Sequence, residues 1–345
     1  MSSAAQAELL GNVLRDVSRS FYLTLRVLPS SVRMPIGLAY LLARAADSIA
    51  DTGALERGRR LDRLLEFRNL VTGHGKISAE EIVRPISESK SANVTEAELL
   101  LLGRLPDCIE LLRGLPVEDR ARVAEVVAQL TVGMELDLRT FTGEGRIQAL
   151  DTFEQLEDYT YHVAGCVGPF WTRMCVSHIP AFRGWEVEGM CQLGIRFGKA
   201  LQWTNVLRDI PRDLQNGRCY LPREELKQSG IEPEELKNPE MYPRLQPLYA
   251  RYLDHALGHY RAAWRYTMAI PKSCVRVRLA CVWPLWIGLE TLALLRRAPN
   301  PLDPAGRIRI TRGRVKRIVL GSVTRIWSNS LLDARQERLM REAHT

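Results

Sequence analysis

The sequence predicts an all-α fold, and three observations carry that prediction. Apolar residues recur at three- and four-residue spacing along ten stretches. Strand-type alternation bounded by hairpin turns is nearly absent. Breaks in the helical spacing coincide with proline and glycine, at Leu28-Pro29-Ser30, Gly143-Glu144-Gly145, Ile179-Pro180 and Pro299-Asn300-Pro301.

Taken in order, the apolar spacing predicts helices over 9–26, 31–50, 55–71, 96–113, 117–141, 153–177 and 185–208. Further helices are expected over 242–268, 274–297 and roughly 314–327. The most apolar stretch, Leu279–Leu295, is interrupted by Glu290 and is short for a membrane span, so it reads as a buried core helix. With no repeat period, the helices are expected to form one domain over 1–345, rather than a solenoid. Its best-supported part is 8–295, with 299–345 a basic, helical extension.

Composition narrows the function classes. Of 345 residues, 46% are hydrophobic and 26% charged, which supports a folded core without disulfides. The seven cysteines are scattered singly with no Cys-x-x-Cys pair, so zinc and thioredoxin-type chemistry is disfavoured and reduced thiols in a cytoplasmic setting are expected. No apolar run follows a basic start in residues 1–12, and the polar stretch 336–345 has no membrane-tail character. The net charge of +8 suits a phosphate-bearing substrate, anionic lipid or nucleic acid. A basic helical module for lipid or nucleic acid is therefore the competing class. The basic residues are not gathered in one run with interleaved aromatics, so no nucleic-acid partner is expected. Gly143-Glu144-Gly145 lacks the third glycine of a dinucleotide fingerprint, and Gly73-His74-Gly75-Lys76 lacks P-loop spacing.

Two clusters of carboxylates stand out. Asp47 and Asp51 are four residues apart at the end of an apolar helical stretch. Asn205, Asp209 and Asp213 repeat that spacing on a second helix. On a helix such residues share one face, roughly 6 Å apart at Cβ. At an effective dielectric of 20, two such carboxylates repel by about 3 kcal/mol. A hard divalent cation with oxygen ligands offsets that repulsion, and Mg²⁺ commonly completes its shell with substrate phosphate. One Asp-x-x-x-Asp alone more often marks a solvated face; two of them, each beside arginines, point to metal. Arg44, Arg208 and Arg218 flank the aspartates and Arg19 lies in Ser18-Arg19-Ser20-Phe21, offering forked donors for phosphate oxygens. His255 and His259 have metal-ligand spacing but lack the accompanying glutamate of a zincin motif, so they read as a helix surface. Trp203, Trp283 and Trp286 read as core.

Four stretches, in order, resemble the squalene/phytoene synthase family of head-to-head prenyl transferases: Ser18–Phe21, Tyr40–Asp51, Tyr159–Gly168 and Gln202–Asp213 continuing to Pro222. The resemblance implies an all-α isoprenoid synthase fold around a central apolar cavity. It implies Mg²⁺ held by Asp47, Asp51, Asn205, Asp209 and Asp213. It also implies diphosphate or substrate contacts from Ser18, Arg19, Phe21, Tyr40, Arg44, Gln202, Asn205, Arg208 and Arg218, and a proton-handling or cation-steering role for Tyr159. The implied reaction condenses two farnesyl diphosphates to presqualene diphosphate. The stretch 306–313 resembles the basic segment near the nicotinamide site of squalene synthases, with Arg309 and Arg312 as donors, so NADPH-dependent reduction to squalene is expected; a non-reductive dehydrosqualene or phytoene synthase is the alternative. Two departures stand out: Ala50 and Arg212 occupy positions that are often acidic in the family. Pro211, inside a helical pattern, is expected to kink its turn. Peripheral contact with a membrane is expected because substrate and product are apolar.

Overall fold

The computed structural model describes residues 3–18, 21–88, 94–143, 145–306 and 308–345. It is 78% helical, as the apolar spacing predicts. In chain order the α-helices are α1 (Ser3–Glu8), α2 (Leu14–Ser18), α3 (Tyr22–Val27), α4 (Ser30–Asp51), α5 (Arg57–Val71), α6 (Ala79–Ser87), α7 (Glu96–Gly103), α8 (Leu105–Arg113) and α9 (Val117–Thr140). They continue as α10 (Phe153–Thr160), α11 (Val167–His178), α12 (Val187–Gln215), α13 (Arg223–Gln228), α14 (Tyr242–Ala269), α15 (Val275–Arg297), α16 (Arg312–Arg325) and α17 (Asn329–His344). The chain groups into two compact units, 1–139 with 173–179, and 140–172 with 180–345.

In the first unit α4 is the central helix. Its buried face carries Val32, Ile36, Leu38, Leu41, Leu42, Ala45 and Ile49. The expected helix over 96–113 is two helices, α7 and α8, broken at Arg104, where Pro106 fits the first turn of a helix better than its interior. α7 opens with a capping box: Thr95 Oγ1 accepts from Glu98 N, and the Glu98 carboxylate accepts from Thr95 N at 2.8 Å. At the other end of this unit, His178 bonds the buried Asp119 of α9 at 2.8 Å.

In the second unit α12, α14 and α15 form the core. α15 buries residues on every side, including Val277, Leu279, Val282, Leu285, Leu289 and Leu292. It is long and apolar enough to cross a membrane, yet 83% of its apolar window is buried within the protein, in keeping with a core helix. Glu290, which interrupts that run, is held by Arg314 Nε at 2.6 Å and Arg335 Nη2 at 3.0 Å, so α15 fastens both α16 and α17. Trp283 Nε1 donates to Ser322 Oγ at 2.7 Å, and Trp286 Nε1 to Gln336 Oε1 at 3.1 Å; both indoles are core, as expected. The stretch 336–345 lies in α17, which buries Leu332, Leu339 and Ala343.

Small residues set the closest approach in this unit. Tyr161–Gly165 is a π-helical turn between α10 and α11, closed by a bond from Cys166 N to Tyr161 O at 2.8 Å. A Cβ on Gly168 would overlap the Gly194 backbone, and one on Gly198 would overlap the Ala164 carbonyl. The Ala164, Gly165 and Gly168 run therefore lets α12 lie against α10–α11 backbone to backbone. α12 itself continues as helix through Pro211 to Gln215.

Two short parallel strands follow from a single turn. Gly217, at φ +74°, ends α12 in the left-handed region that glycine adopts without steric cost. The chain then pairs β2 (Arg218–Cys219) with β1 (Gln148–Ala149), in register Gln148 with Arg218 and Ala149 with Cys219.

Because Gly168 meets backbone and not a flexible side-chain tip, Gly168→Ala should destabilise the fold by about 2 kcal/mol, within the usual range for overpacking. Thermal unfolding followed by circular dichroism reads this directly, and an unchanged midpoint would contradict the close approach.

Candidate active site

The first aspartate pair ends α4. Asp47 and Asp51 occupy its last two turns, and no basic residue lies in the last turn. Carboxylates there sit at the negative end of the helix dipole, which disfavours them. Arg44, one turn earlier, pairs through Nη1 with Asp47 and through Nη2 with Glu98. Glu98 is itself fixed by the α7 capping box. The chain Thr95–Glu98–Arg44–Asp47 thus runs from a helix cap to the candidate metal ligand. Sequence reasoning missed Glu98, although Thr95-x-x-Glu98 was readable as a cap. Phe21 stacks on Tyr40 with ring centroids 5.5 Å apart. Ser18 is buried and its hydroxyl donates back to Leu14 O, so it serves its own helix. Arg19 lies outside the described residues.

The second cluster lies on α12. Arg208 grips Asp209 with two bonds, Nε at 2.8 Å and Nη2 at 2.6 Å, a forked geometry. Burial first, and then the neighbouring charge of Asp209, push Asp213 up to about 7, against the opposing pull of Arg218, Arg212 and Arg208. Asn205 Nδ2 donates to Gln202 Oε1 at 3.2 Å, on the same helical face. The β1–β2 pairing brings Arg218 and Tyr220 beside Asp213, where with Val206, Ile210 and Leu221 they line a small cleft. Tyr159, buried at the end of α10, stacks on Tyr220 at 4.7 Å. The structure therefore gathers Asp213, Arg218, Tyr220 and Tyr159 in one neighbourhood. Tyr220 was not singled out in the sequence, where it is one tyrosine beside Arg218.

A buried carboxylate beside a second one fits a hard divalent cation, because the cation would relieve the repulsion between Asp213 and Asp209 that raises Asp213. Asp47 and Asp209 are each paired with an arginine. Arg309 and Arg312 are exposed, and Arg312 begins α16. They have no buried cradle around them among the described residues, so they fit a nicotinamide-phosphate site less well than the aspartates fit a metal.

One constellation corrects the sequence reading for His259, which is not on a helix surface but 2% exposed, while His255 is half-buried. Both face Glu157, whose Oε1 lies 3.0 Å from His255 Nε2, and the two imidazoles meet at 3.1 Å. Their ligating atoms all lie within 4.8 Å of one another. Lys199 Nζ holds the other carboxylate oxygen at 2.8 Å, Trp203 Nε1 donates to Oε1 at 2.8 Å, and Arg196 Nε donates to His259 Nδ1 at 2.6 Å. Two cationic side chains on these atoms oppose a bound cation, so the cluster acts as a half-buried lock between α10, α12 and α14. Burial works to raise Glu157, but hydrogen bonds from His255, His259 and Lys199 outweigh it and hold the carboxyl far below its usual range. A cavity of about 590 Å³ also lies along α14 and α17, lined by Arg261, Trp264, Gln336, Met340 and Arg341 among others. None of its lining residues belongs to the aspartate sites.

The fold is that of the all-α isoprenoid synthases. A profile of the squalene/phytoene synthase family matches residues 14–314, and the chain belongs to that family. A bifunctional lycopene cyclase/phytoene synthase of Aspergillus oryzae is 29% identical over 319 residues, 90% of this chain and 49% of that protein. A Neurospora crassa protein of the same name is 29% identical over 270 residues, 75% of this chain and 43% of its own length. The chain thus spans about half or less of these curated relatives. Among solved structures, a TcSQS complex with the ligand BPH1237 has TM-score 0.74 at 20% identity, covering 99% of this chain and 98% of that one. A ligand complex of a dehydrosqualene synthase has TM-score 0.64 at 20% identity, covering 94% and 97%. Squalene synthase HpnC from Alicyclobacillus acidocaldarius has TM-score 0.55 at 20% identity, covering 98% and 97%.

Two variants test the electrostatics. Asp213 binds its proton more tightly folded than unfolded, so its stability contribution declines as pH rises from about 4 to about 7 and stays low above. In metal-free buffer, Asp213→Asn should therefore melt several degrees higher than wild type at pH 8, with the gap closing below pH 4. For Glu157 the sign is reversed: its contribution is full above the ordinary carboxylate range and is lost only in strong acid. Glu157→Gln should lower stability at pH 7 by about 2 kcal/mol, the worth of a charged hydrogen bond. Calorimetric melting curves across pH separate the two outcomes.

Proposed function

We propose that the protein is a Mg²⁺-dependent prenyl transferase that joins two prenyl diphosphates, farnesyl diphosphate among them, head to head. Family membership supports this reading, and the aspartates of α4 and α12 paired with Arg44 and Arg208 are the observation that carries it.

Asp47, Asp51, Asn205, Asp209 and Asp213 would hold the metal. When bound, Mg²⁺ supplies Lewis-acid stabilisation to a leaving diphosphate. Arg44, Arg208 and Arg218 would take up the phosphate charge as the carbon–oxygen bond of one substrate breaks. The allylic cation left behind is attacked by the double bond of the second prenyl chain, and a proton is then lost from carbon. Tyr159 and Tyr220 offer aromatic faces to such a cation, and Tyr159 a phenolic oxygen. Their burial excludes water that would quench the cation to an alcohol.

Two endings are supported by different observations. The phytoene synthase-type relatives and the exposed setting of Arg309 and Arg312 favour a product that is not reduced. The likeness to a squalene synthase, HpnC, keeps squalene as the second ending, for which NADPH would be the reductant.

Incubation with farnesyl or geranylgeranyl diphosphate and Mg²⁺, with and without NADPH, followed by mass spectrometry of the hydrocarbon, separates these endings. An unreduced product indifferent to NADPH is expected. Asp47→Ala and Asp209→Ala should each lower turnover at least a thousandfold, roughly 4 kcal/mol, with the helical circular dichroism unchanged. No consumption of any prenyl diphosphate by the wild type would overturn the proposal.

A further inference from the structure

We propose that the outward face of α16 docks on an anionic phospholipid bilayer. α16 is fastened by its other side. Ile318, Ser322 and Ile326 are buried, Ser322 takes the hydrogen bond from Trp283, and Arg314 pairs with Glu290 of α15. What remains outside is apolar: Leu320 is 70% exposed, Val323 48% and Trp327, just past the helix end, 67%. The spacing of three and four residues aligns them on one side. Lys316 and Arg317, a turn before Leu320, are exposed as well and flank that stripe.

The chain segment that carries this face has charge of one sign. Residues 305–332 contain seven basic side chains and no Asp or Glu. Arg314 is engaged by Glu290, while Arg309, Arg312, Lys316 and Arg317 lie exposed. A helix with leucine and tryptophan tips rimmed by arginine and lysine is suited to the boundary between lipid headgroups and acyl chains. Trp327 adds an amphipathic ring of the kind that settles at that boundary. A nucleic acid would neutralise the cations but leave Leu320 and Val323 without an apolar partner. A second copy of the chain would set two basic rims against each other. The bilayer satisfies both parts of the surface. This surface stands whether or not the catalytic proposal does.

The test is co-sedimentation of the full chain with vesicles of phosphatidylcholine, with and without phosphatidylglycerol. Binding should require phosphatidylglycerol and weaken with salt. The double variant Leu320→Ser/Trp327→Ser should bind about tenfold more weakly or less, with its melting temperature and its turnover of detergent-dispersed substrate unchanged. Lys316→Glu/Arg317→Glu should lose the phosphatidylglycerol dependence. Vesicles carrying brominated acyl chains should quench wild-type tryptophan fluorescence, and Trp327→Phe should remove most of that quenching. Absence of vesicle binding, or equal binding by wild type and both double variants, would overturn the proposal. So would binding to nucleic acid, or self-association in sedimentation velocity, that is abolished by the same substitutions.

Discussion

Like-charged carboxylates crowded near the ends of helices are the constraint on which the account turns. Asp47 and Asp51 close α4 at the unfavourable end of its dipole, and Asp209 and Asp213 lie in the last two turns of α12. Bringing like charges together in this way costs stability. The structure answers with arginines: Arg44 on Asp47, Arg208 on Asp209, and Arg218 brought near Asp213 by the turn at Gly217. Where the arginines do not suffice, burial and the charge of Asp209 push the Asp213 carboxyl up to about 7. Stability given up at such places elsewhere in proteins is commonly tied to binding a cation or a substrate.

The surrounding architecture makes that arrangement rigid. Glycine-to-backbone contacts set α12 against α10 and α11, and the Glu157 lock bonds the same three-helix region from another side through Lys199, Trp203 and His255. Tyr159 is two residues from Glu157 and two residues before the π-helical turn. The lock and the candidate catalytic tyrosine therefore share one short helix, so that holding Glu157 also holds Tyr159. On α4 the equivalent support is the cap of α7, which orients Glu98 against Arg44.

Much of this was legible in the residues. The spacing of apolar side chains gave α4, α5, α9, α14 and α15 nearly to their ends, because each has a continuous buried stripe. It did not pick out the short helices α6 and α13, placed α17 only within a helical extension over 299–345, and merged α7 with α8 and α10 with α11, since periodicity does not register one irregular turn. The aspartates and arginines could be named because helical spacing fixes which side chains share a face. Glu157, His255 and Tyr220 could not, because they meet only through tertiary packing between distant segments. The basic residues of 305–332 looked dispersed along the chain, and only the helix shows that Leu320 and Val323 emerge among them.

The most direct test of the metal–diphosphate claim is calorimetric titration with farnesyl thiodiphosphate, which binds like the substrate but resists ionisation. Binding should appear only when Mg²⁺ is present and should be lost in Asp209→Asn and Asp213→Asn proteins that remain folded. Equal affinity without Mg²⁺, or retention of affinity in both variants, would contradict the account.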